Sequence, residues 1–259
     1  MFNLVVTCVG SKNYKGPSIK NAIVNLLHLG IRDDVNGLFN EWQKMLVKHL
    51  NSQSVSPKAR NVYKGAMWTA SIEAFNGING DRQLWIISCG VGFINSEEGI
   101  SGYHATFQPR KNDSLYNLNY FCRLKNIEVK KQWWNLLTDM GTVETNNPRS
   151  IHELVNNSKP TDVVLIAAGS DYYEAIYDDL NEIKISEMLS NLAFVGIKRL
   201  NGKYEPEIPK QLEPYIQSYS NGRQLRGFLG CSAIQVQPKS ALYLIEQYYK
   251  TGKLKYDFP

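Results

Sequence analysis

Short, mostly apolar runs alternate with longer amphipathic stretches along this chain. Phe2 to Val9 and Asp162 to Ala168 are rich in β-branched and aliphatic residues, the pattern of strands buried on both faces. Leu84-Trp85-Ile86-Ile87 predicts a central strand, and Leu192 to Ile197 a shorter one. Between them the period changes. Ile19 to Leu29 and Gly37 to Leu50 read as helices; Leu38, Trp42, Met45, Leu46 and His49 form the apolar stripe of the second. Ser56 and Pro57 open a helix expected to run from Lys58 toward Phe75, with Arg60, Tyr63 and Lys64 on one face. Further helices are expected at Val129 to Met140, Ile151 to Asn157, from Ser170 to about Ile185, and from Lys239 to Tyr249. Asn201 to Tyr219 reads as irregular, and Asn221 to Arg226 as a basic turn. Strands alternating with helices predict an α/β fold with a largely parallel sheet. The whole chain, 1–259, is expected to be one domain. Residues 16–56 are a helical insertion after the first strand, and 108–150 a loop and helix insertion.

The strand ends draw attention. Cys8-Val9-Gly10-Ser11-Lys12, Ser88-Cys89-Gly90-Val91-Gly92 and Ala168-Gly169-Ser170-Asp171-Tyr172 all take a buried run into glycine and polar residues. Open α/β sheets present their sites in such loops. The three ends are expected side by side on one sheet edge. Ser170 or Asp171 would cap the following helix, whose N-terminus would favour an anion. Residues 108–118, polar and basic around Arg110 and Lys111, read as a mobile surface loop.

Composition narrows the class. The chain has 259 residues, 43% apolar and 20% charged, as in an ordinary soluble globular protein. No run of about 18 apolar residues predicts a membrane span, and the N-terminus lacks the basic region of a signal peptide. A cytoplasmic protein is expected. A net charge of +5 permits an anionic partner without demanding one. Cys8, Cys89, Cys122 and Cys231 form no C-x-x-C pair, and the four histidines are scattered, so no metal site is expected. The loop after the first strand lacks the phosphate-loop pattern, and no cofactor is expected.

Three segments together resemble the YaaA-related proteins of unknown function. Val6-Thr7-Cys8-Val9-Gly10-Ser11-Lys12 is similar to their strand ending in C-x-x-x-K. Ala59-Arg60-Asn61-Val62-Tyr63 is similar to an A-R-x-L-Y helix, and Trp85 to Phe93, with Tyr103 and Thr106 downstream, to a W-f-I-L-S-A-x-x-G-L segment. Ala168-Gly169-Ser170-Asp171-Tyr172 and Gly222-Arg223-Gln224-Leu225 match weaker segments of the same group. Cys89-Gly90-Val91 stands where the family has A-K-x, so the usual lysine is absent. The resemblance implies a Rossmann-like core with helices on both sheet faces. It also implies a connection with nucleobases: relatives include a DNA-binding peroxide-stress protein and members of base-modification systems.

A nucleotide or nucleic-acid partner would need phosphate, base and reaction groups. The candidate substrate-binding residues are Cys8, Ser11, Lys12, Arg60, Tyr63, Ser88, Gly90, Tyr103, Gly169 and Tyr172. Breaking an N-glycosidic bond calls for a carboxylate, and the candidates are Asp171 and Glu98. Gly169 to Tyr173 is similar to the water-activating G-x-D-P-Y segment of uracil excision enzymes, without its proline. Two functions remain open, an enzyme acting at a nucleobase or its N-glycosidic bond and a non-catalytic nucleic-acid-binding protein of a stress or defence system, with a nucleotide-sensing subunit as a weaker third.

Overall fold

The computed structural model describes residues 1–259 apart from Ser11, Ser54, Arg110, 140–146, 186–190 and Asp257. Among the described residues the strands are β1 (Phe2–Thr7), β2 (Arg82–Ser88), β3 (Gly92–Asn95), β4 (Val163–Ala167), β5 (Leu192–Leu200), β6 (Lys203–Glu205) and β7 (Ile216–Tyr219). They form one mixed sheet in the order β3-β2-β1-β4-β5-β6, with β7 also paired to β5. The centre is parallel: Leu4 of β1 stands opposite Leu84 of β2 on one side and Leu165 of β4 on the other. β3 and β6 turn back antiparallel on β2 and β5. The sheet is thus mostly, but not purely, parallel.

Every residue of β1 and β4 is buried, so both faces of the sheet centre are covered. One cover is α4 (Ala66–Asn76) with α10 (Val236–Thr251), where Phe2 meets Tyr248 edge-on. α10 packs on β4 and β5 as well as on α4. A second helical group joins α1 (Ile19–His28), α2 (Val35–Asn51), α5 (Asn126–Asp139) and α7 (Ser170–Ala175), with α5 against β3. A single contiguous apolar core runs through these layers.

The two insertions grip the turn between β2 and β3. Trp42 of α2 donates its indole N–H to Gly90 O at 2.8 Å, and Trp133 of α5 donates to Cys89 O at 2.8 Å. Both indoles are fully buried, and each satisfies a turn carbonyl that the sheet ladder cannot reach.

Several local expectations change. The helix expected from Lys58 to Phe75 is two: α3 (Ala59–Val62) and α4, broken where Tyr63 is extended and Gly65 adopts φ 101°. Tyr63 leaves the helix to enter the core beside Tyr103, and only glycine easily takes the backbone angle that restarts the chain. Arg60, Tyr63 and Lys64 therefore share no face: Arg60 is exposed and Tyr63 buried. The helix expected after Gly169 divides at Ile176 into α7 and α8 (Tyr177–Asn181), and neither Ser170 nor Asp171 caps it. Gly169 holds the N-cap position with no side-chain bond. β5 is longer than expected, since Lys198 to Leu200 pair with β6, while β7 pairs from Phe194 to Lys198, and Asn201 to Tyr219 contains both of those strands. Asn221 begins α9 (Gly222–Leu229), which ends at a left-handed Gly230. Around the loop expected at 108–118, Thr106 N donates to Asp113 O, Leu115 N donates to Thr106 O, and Leu115 is buried; Arg110 lies outside the described residues.

Candidate functional site

β1, β2 and β4 run parallel and adjacent, so the ends at Cys8, Ser88 and Ala168 lie on one sheet edge. From β1 the chain goes first to β2 on one side and later to β4 on the other. Such a reversal of direction leaves a crevice outside the strands' carboxyl ends, because the two connections depart in opposite directions. A cleft of about 720 Å³ opens there, floored by Thr7 to Gly10 from β1 and by Gly169 to Tyr172 after β4. One wall comes from Lys64 to Met67 at the start of α4, and another from His104 to Thr106 and Lys111 to Asp113. Ile234 and Gln237 close the side next to α10.

Asp171 is the best-defined carboxylate in this cleft. Its Oδ1 accepts from Lys130 Nζ at 2.6 Å, and Glu174 Oε2 accepts from the same ammonium at 2.8 Å. Lys130 is only 1% exposed, whereas Asp171 remains 28% exposed. The ammonium is buried under α5 and matched by two carboxylates one helical turn apart on α7, the pairing a buried charge requires. Asp171 is thus held by one oxygen, and its Oδ2 has no hydrogen-bond partner among the described residues. Thr7 Oγ1, at the floor, is buried and also without a partner. Buried polar atoms are nearly always bonded, so Thr7 Oγ1 is a place where a ligand can supply a bond, while Asp171 Oδ2 belongs to a part-exposed side chain open to water or ligand.

Next to the cleft, the β2 end is closed. Ser88 Oγ bonds to the Tyr103 hydroxyl and accepts from Gly90 N and Val91 N, each at 3.2 Å. The Tyr103 hydroxyl also meets the Tyr63 hydroxyl at 2.8 Å. Lys12 Nζ donates to Val9 O at 3.1 Å and lies 4.2 Å from the centre of the Tyr103 ring. Lys12 is 8% exposed; burial pushes its pKa down, with Cys8, Cys89 and Asp113 pulling weakly the other way. Burial pushes the Tyr63, Tyr103 and Tyr172 phenols and the Cys89 thiol up, and proximity to Cys8 adds to the shift in each. A neutral, enclosed Cys89 is no nucleophile. Cys8 lines the cleft, where its Sγ lies 3.2 Å from the Tyr172 hydroxyl.

The sequence candidates therefore divide. Cys8, Gly169, Asp171 and Tyr172 meet in the cleft. Lys12, Tyr63, Ser88, Gly90 and Tyr103 form the sealed network beside it. Arg60 lies at the surface in an ion pair with Glu97 at 2.9 Å, and Glu98 is fixed by Arg149 at 3.1 Å and by the backbone N–H of Asn95 at 3.0 Å. Neither lines the cleft, and Glu98 clamps the chain beyond β3. Ser11 lies outside the described residues. Among the described residues, the lysine and arginine side chains that line the cleft are Lys64 and Lys111. Sequence reasoning missed Met67, Ile234 and Gln237, whose neighbours in the chain carry no local sign of a site, and passed over Thr7, which reads as a residue inside the buried strand before Cys8. It also missed Lys130 as the partner of Asp171, since 41 positions separate them.

A further polar cluster looks catalytic by composition but is not by geometry. His152 Nδ1 is within 3.0 Å of Ser150 Oγ and 2.8 Å of Asp179 Oδ1. One ring nitrogen serves both neighbours, so no proton can be relayed through the ring. Asp179 instead receives the N–H groups of Ile151 and His152, capping α6 (Ile151–Asn156). Among the described residues no group of three or more His, Cys, Asp or Glu is placed to hold a metal ion, and no helix is long and apolar enough to cross a membrane. Comparison with protein-family models, curated proteins and solved structures gives no match.

Proposed function

We propose that this protein acts on a nucleotide or nucleic acid, at a nucleobase or its N-glycosidic bond, on a Rossmann-like scaffold. The observation that carries the proposal is Asp171, held by the buried Lys130 inside a cleft at the point where strand order reverses. The cleft volume of about 720 Å³ is in the range that encloses a nucleotide-sized ligand. Lys64 and Lys111 supply charge for a phosphate, and Met67 and Ile234 supply apolar surface against which a base can lie. In this view the chain is a YaaA-like protein whose motif residues Cys8, Ser88 and Gly169 end three adjacent strands.

The chemistry assigns simple roles. As the bond from sugar to base breaks, its electron pair leaves with the base and positive charge develops on the sugar. The Asp171 carboxylate stabilises that charge or takes a proton from the water that adds to the sugar carbon. His104 lines the same cleft and can pass a proton to the departing base.

The test is Asp171→Asn. The amide keeps the size of the side chain, and Glu174 still neutralises Lys130, so folding should survive. Base release from mixed-base nucleotides and from single strands of DNA and RNA should fall at least about a hundredfold, the scale of a lost general base. Unchanged base release would remove Asp171 from the mechanism. Binding without base release by either protein would place the chain among non-catalytic nucleic-acid binders.

A further inference from the structure

A second depression of about 600 Å³ adjoins the cleft, and Lys111 and Asn112 line both. Its other lining residues include Lys20, Tyr116, Asn117 and Asn126. No carboxylate is among its described lining residues, which sets it apart from the cleft with Asp113 and Asp171. Tyr116 is held in place: its ring stacks on Phe121 at an interplanar angle of 7°, and its hydroxyl donates to Leu124 O at 3.1 Å. Asn126 Oδ1 is buried and has no hydrogen-bond partner. Each depression therefore contains an orphaned polar atom, Thr7 Oγ1 in the first and Asn126 Oδ1 in the second, with a lysine on the wall between them.

We infer that the natural ligand is a nucleic-acid strand of at least two nucleotides, with the reacting nucleotide in the cleft, its neighbour in the second depression and the linking phosphate at Lys111. The inference rests on the nucleotide reading of the cleft and adds the substrate class. A fixed ring, carboxamide side chains and cations without acids suit a base and its phosphate. A cationic or neutral peptide would leave Lys20 and Lys111 without partners, and a lone nucleotide would leave Asn126 Oδ1 unsatisfied. The base in the second depression contributes binding without touching the reaction centre, so it acts on affinity through the length of the strand.

Isothermal titration of the full chain with mixed-base mononucleotides, dinucleotides and hexanucleotides, as DNA and as RNA, tests this. The hexanucleotide should bind at least about tenfold more tightly than the mononucleotide, the gain expected from one further stacked base. Lys20→Ala and Asn126→Ala should each bring that ratio toward one. Lys20 is exposed, so its variant stays informative even if Asn126→Ala destabilises the fold. Equal affinity for mononucleotide and hexanucleotide would overturn the strand inference and leave the nucleotide proposal standing. Hexaglutamate binding as tightly as the hexanucleotide would overturn it in favour of an acidic peptide. No binding of any nucleotide would overturn both.

Discussion

The loops after β2 and β4 begin alike and end differently. Each follows a buried strand, each opens with glycine and polar residues, and they flank the same central strand β1. After β4 the chain turns into α7 and leaves Asp171 facing a cleft. After β2 it turns back as β3, and two insertion helices close over it through Trp42 and Trp133. The same local grammar gives an open site in one place and a sealed polar core in the other. What separates them is the cover supplied by distant segments, so the polar residues of the sealed loop satisfy one another while those of the open loop line a cleft.

The largest expected difference comes from the glycines. A Cβ at Gly90 would overlap the ring of the fully buried Tyr103, which has no room to retreat between Trp42 and Tyr63. Gly90→Ala should destabilise by about 2–4 kcal/mol in urea unfolding, as overpacking a core does. A Cβ at Gly169 meets only Gln237 Nε2, at 3.5 Å, and the backbone there suits any residue. Gly169→Ala should stay within about 1 kcal/mol of wild type. Equal losses at the two positions would erase the distinction between an open and a sealed loop.

Tyr103→Phe sharpens the contrast within the sealed network. It removes the hydroxyl that joins Ser88 to Tyr63 and strands polar groups with no access to water. The expected loss is about 1–3 kcal/mol. A change below the error of the measurement would mean that water reaches this network.

The smallest effect is the pH dependence owed to Lys12. Its folded pKa lies below the ordinary 10.5, chiefly through burial, so the unfolded chain holds this proton more tightly than the folded one. Stability must then rise with pH through the interval between the folded value and 10.5. Below that interval the cost of burying the ammonium is fully present; above it the cost is gone. The stability of wild type relative to Lys12→Met should therefore improve as pH climbs toward that upper limit, with the tyrosine titrations common to both proteins cancelling. A difference independent of alkaline pH would mean that Lys12 is solvated, and that the network opens to water there.

Much of the fold could be read from the chain because the apolar runs are local signals. Phe2 to Val9, Leu84 to Ile87 and Asp162 to Ala168 are short, aliphatic and rich in β-branched residues, the pattern of strands covered on both sides, and their order with intervening helices implies a largely parallel sheet. The glycine and polar residues at their ends marked the edge where the cleft opens for the same reason: the pattern lies within a few residues. Helix breaks at Tyr63 and Ile176 could not be read, since each depends on where a side chain finds its place in the core. Nor could the partition of the candidates. Lys12 and Lys64 have similar local surroundings in sequence, but one is buried over the Tyr103 ring and the other lines the cleft. Lys130 meets Asp171 only because α5 packs against α7. Sequence alone determined which residues are chemically able and which edge gathers them. Tertiary packing decided which of them reach a ligand, because exposure depends on what the rest of the chain lays over each loop.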